Sequence, residues 1–263
     1  MTLAKINPTK INTPIYQKIP LYEFKSSSYT IADLDKFKVY NQKNNSNCVV
    51  YVMKFLAEYY IYKKMKGESS INTNPINISV NSLYYEARIN DEIGKSNDYS
   101  DTGTTVYGGL YALSKGFTLD STEQGKSDKE IWTNIINPPL SYFIKQKYNL
   151  KLTYGSNLFS VNRKVSDIKY YLHFNLPIVF SIKLNTEYSK FESIGSKIYS
   201  PELKISRNYS IHCLIIVGYD ESKKSFFCRN SYGTEFGKKG YFYMHYSFLT
   251  DTRNLINDMF VII

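Results

Sequence analysis

The first half of the chain carries apolar residues at helical spacing. The residues that would form the buried face of the first predicted helix are Val49, Val52, Met53, Leu56 and Tyr60. We expect this helix to stop at Gly67, because glycine weakens a helix. A second helix is predicted over residues 79–89 with Ser79 as its N-cap. A third is predicted over residues 105–115 and is ended by Gly116.

The second half of the chain has shorter apolar runs that are rich in β-branched residues. This pattern predicts strands over residues 177–184, 211–219, 225–230 and 240–244, with a short helix over residues 165–175 before the first of them. Helices that come first and antiparallel strands that come later are typical of an α+β fold. We therefore predict an α+β chain with two lobes.

Composition narrows the classes of protein that fit this pattern. The chain has 263 residues, of which 43% are hydrophobic, so it is too apolar for a disordered protein. Its three cysteines are too few for a disulfide framework and favour a reducing compartment. No apolar stretch reaches the roughly 18 residues of a membrane span, and the first residues lack the apolar core of a signal peptide. We therefore expect no membrane partner.

The formal net charge of +10 favours weak binding to polyanions. The lysines are scattered along the chain, however, and no nucleic-acid-binding motif accompanies them. A solvated basic surface is the simpler interpretation, with polyanion binding as an accessory function.

A cysteine, Cys48, stands where the first predicted helix begins. The helix dipole and the unpaired N–H groups of the first turn would stabilise its thiolate. The backbone N–H of Cys48 and the side-chain amide of Gln42 would together stabilise an oxyanion on a substrate. Taken alone, Cys48 has a simpler interpretation as a small residue at a helix start.

A histidine, His212, opens an apolar strand, and Asn230 opens a glycine-rich loop further along the chain. An asparagine oxygen that accepts the proton of one imidazole nitrogen leaves the other nitrogen free to face a nucleophile. Taken alone, His212 fits a core histidine and Asn230 a turn residue. By strand alternation Cys213 points away from His212, and we interpret it, like Cys228, as a buried packing thiol.

Taken together, these residues and their local contexts resemble the papain-like (cathepsin-type) cysteine peptidases, in their bacterial and viral branch. The strongest matches are residues 229–244, Arg-Asn-Ser-Tyr-Gly-Thr-Glu-Phe-Gly-Lys-Lys-Gly-Tyr-Phe-Tyr-Met, and residues 211–220, Ile-His-Cys-Leu-Ile-Ile-Val-Gly-Tyr-Asp. Residues 39–42 and 101–113 give weaker support, and the second of these segments resembles the substrate-cleft loop of the family. The resemblance covers the chain from about residue 30 to its C-terminus.

The resemblance implies a papain-like two-lobe fold, in which an active-site cleft separates a helical N-terminal lobe from an antiparallel, β-barrel-like C-terminal lobe. It assigns Cys48 as nucleophile, His212 as general base and then acid, Asn230 as the residue that orients His212, and Gln42 to the oxyanion hole. A thiolate–imidazolium pair is the implied resting state. The implied activity is hydrolysis of a polypeptide substrate through an acyl-enzyme, without a cofactor.

The resemblance also indicates substrate-binding residues, which are Gly103, Thr104, Ile211 and Tyr232. Some of these positions depart from the family pattern. Tyr232 replaces the tryptophan that shields the histidine–asparagine bond, and Ile211 replaces a small residue before the histidine. Asn45 replaces the first cysteine of the usual motif, which removes a disulfide. These departures affect specificity more than the catalytic chemistry.

Two other functions are compatible with the same residues. The thiol would equally serve an acyltransferase or ligase, because hydrolysis and aminolysis share one acyl-enzyme. A catalytically inactive protein of this fold would bind peptides or polyanions instead. The presence of all four catalytic residues argues against inactivity.

The chain is expected to divide into an arm, residues 1–28, and a catalytic domain, residues 29–263. The arm shows no sustained hydrophobic period, and we expect it to lie across the cleft and inhibit the enzyme. The composition resembles that of large DNA-virus members of the family, so we expect the protein in a cytoplasm or a virion. No metal site is predicted, because His173, His212 and His245 have no partners at ligand spacing.

Overall fold

The computed structural model describes residues 26–68, 74–91, 101–119, 149–153, 156–184, 198–199, 209–251 and 259–263. Residues 1–25 of the predicted arm lie outside these ranges. Three helices make up the first half of the described chain. They are α1 (Cys48–Glu68), α2 (Val80–Asn90) and α3 (Val106–Lys115).

The predicted caps at Ser79 and Gly116 are confirmed. The Ser79 hydroxyl accepts a hydrogen bond from the backbone N–H of Ser82. Thr105, predicted as the first residue of the third helix, is its N-cap instead, and its hydroxyl accepts the backbone N–H of Gly108. Gly116 ends α3 with a φ of 138°, a conformation that favours glycine.

The predicted first helix is confirmed, and its last described residue is Glu68, one residue beyond the predicted stop at Gly67. A glycine costs a helix only about 1 kcal/mol relative to alanine. The packing of this 21-residue helix outweighs that cost.

Helix α1 is buried on more sides than its predicted apolar face. Lys54 and Glu58 are only 1% and 4% exposed, although both are charged residue types. The Lys54 Nζ atom lies 3.0 Å from Glu58 Oε1 and 2.6 Å from Asn77 Oδ1, and it also donates to the carbonyl of Ile78. The backbone N–H of Ile78 in turn donates to Glu58 at 2.9 Å. These bonds pair the buried charges and allow α1 to be buried between α2, α3 and β5.

The second half of the described chain forms most of a sheet and two further helices, and β1, near the start of the described chain, adds a strand to that sheet. In chain order the strands are β1 (Ser28–Thr30), β2 (Leu158–Val161), β3 (Ile178–Leu184), β4 (Ile198–Tyr199), β5 (Ser210–Asp220), β6 (Ser225–Arg229), β7 (Tyr241–His245) and β8 (Met259–Ile262). The helices are α4 (Val165–His173) and α5 (Tyr246–Thr250), and a short 3-10 helix covers Leu34–Lys36. The strand order is β2-β8-β3-β5-β6-β7-β4, with β1 paired to β5. All pairs in the described sheet are antiparallel except β4 with β7.

The α+β fold class and the four predicted strands are confirmed, with strand boundaries shifted by at most one residue. The sequence prediction lacks strands β1, β2, β4 and β8 and helix α5. Strand β1 includes Ser28, the last residue of the predicted arm, which pairs with Asp220 of β5.

Strand β5 is the element that joins the two halves. It pairs with β3 and β6, and α1 packs against it. Its register places His212 opposite Ile182 of β3 and Ile215 opposite Arg229 of β6. Asn230, which directly follows β6, is thereby carried to the same region of the sheet as His212.

Candidate active site

A cleft of about 1090 Å³ contains the predicted nucleophile and the predicted base. Cys48 and Val49, at the start of α1, line one wall together with residues 41–46 and 102–106. Residues 209–213, in and before β5, line the opposite wall with Ser181 and Leu184 of β3. The cleft therefore lies where the N-terminus of α1 meets the sheet.

Cys48 is the first residue of α1 and is 8% exposed. The helix begins here because the carbonyl of Asn47 accepts the N–H groups of Val50 and Tyr51. Burial raises the pKa of the Cys48 thiol, and the backbone N–H groups of Cys213, Val49 and Cys48 itself oppose this rise. The negative charge of Asp101 adds a smaller upward contribution to that pKa. The backbone donors at the start of α1 and on β5 favour the thiolate, but burial outweighs them, and the net effect on the pKa is opposite to the one that the helix-terminus argument predicts.

His212 is held by Asn230 on the sheet side of the cleft. The distance from His212 Nε2 to Asn230 Oδ1 is 2.8 Å, and both side chains are buried. An amide oxygen only accepts, so Nε2 carries the proton and Nδ1 is the unprotonated nitrogen. The Tyr232 ring stacks on the imidazole with centroids 4.8 Å apart and an interplanar angle of 24°. Tyr232 thus lies at the position where the sequence predicts an aromatic ring beside the His212–Asn230 bond.

The pKa of His212 is lowered to about 4, because burial disfavours the imidazolium. The bond to Asn230 opposes this effect and raises the pKa. Burial thus favours the neutral form of both His212 and Cys48. A resting thiolate–imidazolium pair requires mutual attraction that exceeds these two costs.

Asn230 lies behind His212 and does not line the cleft. Its backbone N–H donates to the carbonyl of Gly240 at 3.0 Å, and its side-chain oxygen also accepts the N–H of Ser231 at 2.7 Å. These bonds fix the amide in the orientation in which its oxygen faces His212.

Gln42 lines the cleft on the same side as Cys48. One hydrogen of its Nε2 donates to the carbonyl of Asn45 at 2.8 Å, which leaves the second hydrogen for a substrate. Its Oε1 accepts the hydroxyl of Ser231 at 2.5 Å, and its backbone N–H donates to the Ser231 carbonyl at 2.7 Å. Ser231 therefore contacts both Gln42 and Asn230. Sequence reasoning missed this role, and a serine next to an asparagine in a loop gives no signal for it.

All four predicted substrate-binding residues line the cleft: Gly103, Thr104, Ile211 and Tyr232. Gly103 has a φ of 81°, and a Cβ atom there would lie 3.0 Å from the carbonyl oxygen of Ser46, so a larger residue does not fit. Ile211 is 56% exposed at the rim of the cleft.

The other two thiols are buried and unpaired. Cys213 and Cys228 are 1% and 0% exposed, and burial raises the pKa of each thiol. Cys213 also contributes to the wall of the cleft. Strand alternation alone predicts only a packing residue that faces away from His212.

Within the described residues, no group of three or more His, Cys, Asp or Glu side chains lies close enough to hold a metal ion. His173 bonds to the hydroxyl of Tyr219 at 2.9 Å, and the side chain of His245 caps α5. A search of the same residues finds no helix with the length and hydropathy of a membrane span.

The chain is similar to known proteins in its sequence and, separately, in its fold. The sequence pattern of the family described as "Papain family cysteine protease" matches residues 123–257, about half of the chain. This match includes His212 and Asn230, whereas Gln42 and Cys48 lie outside it. An uncharacterized peptidase C1-like protein of Acanthamoeba polyphaga mimivirus is 24% identical over 216 residues. The aligned region covers 79% of this chain and 64%, less than two thirds, of that protein.

Several solved structures share the fold. Xylellain, a cysteine protease from Xylella fastidiosa, aligns with a TM-score of 0.66 and 19% identity over 92% of this chain and 87% of its own. The cysteine protease and lectin-like domains of a surface layer associated protein of Clostridium difficile align with a TM-score of 0.65 and 17% identity, over 90% and 51% of the two chains. A Carica candamarcensis cysteine protease in complex with E-64 gives 0.60 and 14%, over 89% and 97%. At these identities the likeness concerns the fold alone.

Proposed function

Because the chain belongs to the papain family of cysteine proteases, we propose that it hydrolyses peptide bonds through an acyl-enzyme on Cys48. The observation that carries this proposal is the buried His212–Asn230 bond of 2.8 Å, made on the wall of the cleft that faces the start of α1. It leaves Nδ1 of His212 as the proton acceptor in a cleft that also contains Cys48 and Gln42.

In the first step, the Sγ atom of Cys48 attacks the carbonyl carbon of the scissile peptide bond, and a carbon–sulfur bond forms. The thiol proton passes to Nδ1 of His212. The carbonyl oxygen becomes an oxyanion, which accepts hydrogen bonds from the backbone N–H of Cys48 and from the second hydrogen of Gln42 Nε2. Asn230 stabilises the imidazolium that forms.

In the second step, the carbon–nitrogen bond breaks and the leaving amine takes the proton from His212. The product is a thioester between Cys48 and the acyl part of the substrate. A water molecule then attacks the thioester and gives its proton to His212. The thiolate of Cys48 leaves, takes that proton back and restores the free enzyme. Each proton that His212 accepts is thereby returned within the cycle.

The finer features of this function are also proposals. The substrate is a polypeptide that lies between Gly103 and Ile211.

The self-inhibitory role of residues 1–28 stays a prediction, since residues 1–25 lie outside the described ranges. Deletion of residues 1–25 tests it. An inhibitory arm predicts faster hydrolysis after deletion, and an unchanged rate contradicts it. Location in a reducing cytoplasm or a virion, and weak polyanion binding, likewise stay predictions.

The decisive experiment combines labelling with hydrolysis. The purified protein is treated with an epoxide that reacts with activated thiols, and the labelled peptide is identified by mass spectrometry. We expect one label, on Cys48, and none in the Cys48→Ala or His212→Ala variants. Cys228→Ala, which removes a fully buried thiol, is the matched control and should label as the wild type does.

Hydrolysis of a casein or peptide library is measured on the same samples, with an amine added to detect acyl transfer. Hydrolysis that disappears with Cys48→Ala supports the proposal. Labelling without turnover of any substrate would contradict it and favour a peptide-binding protein. Transfer to the amine in place of hydrolysis would identify an acyltransferase.

A further inference from the structure

Two loops form the helical wall of the cleft around Cys48. The nucleophile loop (residues 42–47) leads into α1, and the cleft loop (residues 101–105) leads into α3. All three cysteines of the chain are free, so no disulfide joins these loops. Their relative position depends on noncovalent contacts.

A single carboxylate, that of Asp101, links both loops to α2. Its Oδ2 accepts the backbone N–H of Ser46 at 2.6 Å, and its Oδ1 accepts the hydroxyl of Tyr84 at 2.5 Å. Tyr84 belongs to α2 and is fully buried. Two donors from different segments thus converge on Asp101, and a carboxylate is the side chain that accepts both.

The cleft loop is also fixed at its other end. Asp91 Oδ2 accepts the hydroxyl of Thr104 at 2.8 Å and the backbone N–H of Thr105 at 2.6 Å. At Gly103 the two loops approach so closely that a Cβ atom would lie 3.0 Å from the Ser46 oxygen. Ser46 therefore contacts the cleft loop through its N–H, held by Asp101, and through its carbonyl beside Gly103.

We propose that Asp101 is a positioning residue, which holds the nucleophile loop and the cleft loop at the separation that a bound substrate requires. This inference rests on the proposed function and identifies a residue that adjusts the same site. Asp101 acts through Ser46, two residues before Cys48, and through the backbone of the substrate-binding segment Gly103–Thr104. It has no role in proton transfer.

The charge of Asp101 provides an independent readout. Asp101 raises the pKa of the Cys48 thiol, in the same direction as the larger effect of burial. The other ionisable side chains that line the cleft are Lys43, Tyr209, His212, Cys213, Tyr232 and Glu235. Removal of the Asp101 charge favours the thiolate at a given pH, while removal of its hydrogen bonds releases Ser46. A residue that only stabilised the fold would change neither the thiol titration nor KM.

The test compares Asp101→Asn with Asp101→Ala in the full chain. Asparagine keeps an acceptor for the Ser46 N–H and loses the charge, whereas alanine loses both. Asp33→Asn is the matched control, because Asp33 pairs with Lys66 in the last turn of α1, about 27 Å along the helix from Cys48. Asn also tolerates the left-handed conformation of Asp33, whose φ is 61°.

The first measurement is the pH dependence of Cys48 alkylation by iodoacetamide, followed on the Cys48 peptide by mass spectrometry. Both Asp101 variants should shift the midpoint to lower pH, and Asp33→Asn should not. The second measurement is peptide hydrolysis. Asp101→Ala should raise KM and lower kcat/KM by about 10- to 100-fold, and Asp101→Asn should recover most of that loss. Thermal unfolding of each variant is measured in parallel.

Wild-type KM and an unshifted alkylation midpoint in Asp101→Ala would overturn the proposal. Wild-type KM and an unshifted midpoint together with a lower melting temperature would mean that Asp101 only stabilises the fold. This result would also overturn the proposal. If the wild-type protein hydrolyses no peptide, the proposed function fails. The alkylation profile then still decides whether Asp101 acts on Cys48, since iodoacetamide needs only an accessible thiol.

Discussion

The two walls of the cleft hold their catalytic groups by different means. On the sheet wall, His212 lies in the 11-residue strand β5, which is paired on both edges, and Asn230 directly follows the neighbouring strand. On the helical wall, Gln42 lies in a loop that bonds to Ser231 through one backbone and one side-chain hydrogen bond, and its side chain also bonds to Asn45. A continuous backbone ladder fixes the first geometry, whereas a few isolated bonds, some of them from side chains, fix the second. Substitutions of noncatalytic residues should therefore affect the helical wall more than the sheet wall.

The largest expected effect is on the sheet wall. His212→Ala removes the only proton acceptor proposed for Cys48 and should lower kcat/KM by about 10⁴-fold or more. His173→Ala is the matched control, because His173 is a partly buried histidine that bonds to Tyr219 and does not line the cleft. The measurement is hydrolysis of a fluorogenic peptide. Activity of His212→Ala within tenfold of the wild type would show that another group accepts the proton.

The next largest effect concerns the buried Lys54–Glu58 pair of α1, the helix that carries Cys48. Lys54→Met leaves Glu58 buried without its cation, and we expect a loss of about 3 to 5 kcal/mol in the free energy of unfolding. Burial already raises the pKa of Glu58, so the loss should grow as the pH rises and Glu58 ionises.

Urea denaturation measures this loss and includes two comparisons. The double variant Lys54→Met/Glu58→Leu should recover most of the stability, because it leaves no buried charge. Lys66→Met removes an exposed, solvent-screened partner of Asp33 and should cost far less stability than Lys54→Met. Equal losses for Lys54→Met and Lys66→Met would mean that the buried pair does not anchor α1.

A smaller effect on kcat is expected at Gln42 of the helical wall and at Ser231, the residue that orients its side chain. Gln42→Ala removes an oxyanion donor and should lower kcat by about 10²- to 10³-fold. Ser231→Ala keeps that donor and loses the bond that orients it, so we expect roughly a fivefold loss, the value of one hydrogen bond. Asn44→Ala, an amide in the same loop and the same cleft, is the control. An unchanged kcat in Ser231→Ala would show that the helical wall keeps its geometry without the sheet.

The smallest expected effect is on the pH profile. The competent pair of Cys48 and His212 holds one proton in total, whether on sulfur or on nitrogen, and a second proton abolishes activity. Because burial lowers the pKa of His212 to about 4, kcat/KM should stay level down to about pH 5 and fall below about pH 4. The bond to Asn230 raises that pKa, so Asn230→Ala should move the acid limb to lower pH.

Stopped-time assays between pH 3 and 8, with circular dichroism to verify the fold, measure this limb. A wild-type limb near pH 6.5, the ordinary value for histidine, would contradict the buried environment of His212. The pH profile of kcat/KM does not show whether the shared proton lies on the sulfur of Cys48 or on the nitrogen of His212. Ultraviolet absorbance of the thiolate distinguishes the neutral pair from the ion pair.

Sequence predicted the sheet wall better than the helical wall, for a physical reason. His212 and Asn230 stand in segments whose period and glycines mark a strand and a tight loop, so their local context carries the information. The contacts of Asp101 with Ser46 and Tyr84 join residues that are far apart in sequence. Such hydrogen bonds leave no local pattern.

The missed elements follow the same principle. Strand β2 has four residues, and its partner β8 follows about 100 residues later. The hydrophobic pattern of either short segment alone does not distinguish a strand from a loop. Lys54 and Glu58 have the spacing of an exposed ion pair on a helix surface, and only the surrounding fold buries them.

The dependence of α1 on β5 has a consequence for synthesis of the protein on the ribosome. Residues 69–209 separate the two elements, a stretch that takes on the order of ten seconds to translate. Throughout that interval the helix that carries Cys48 emerges without the strand against which it packs, and without His212. Under the proposed mechanism, a nascent or prematurely terminated chain that lacks His212 has no proton acceptor for Cys48. The apolar face of α1 that packs on β5 stays uncovered until the last fifth of the chain has been made.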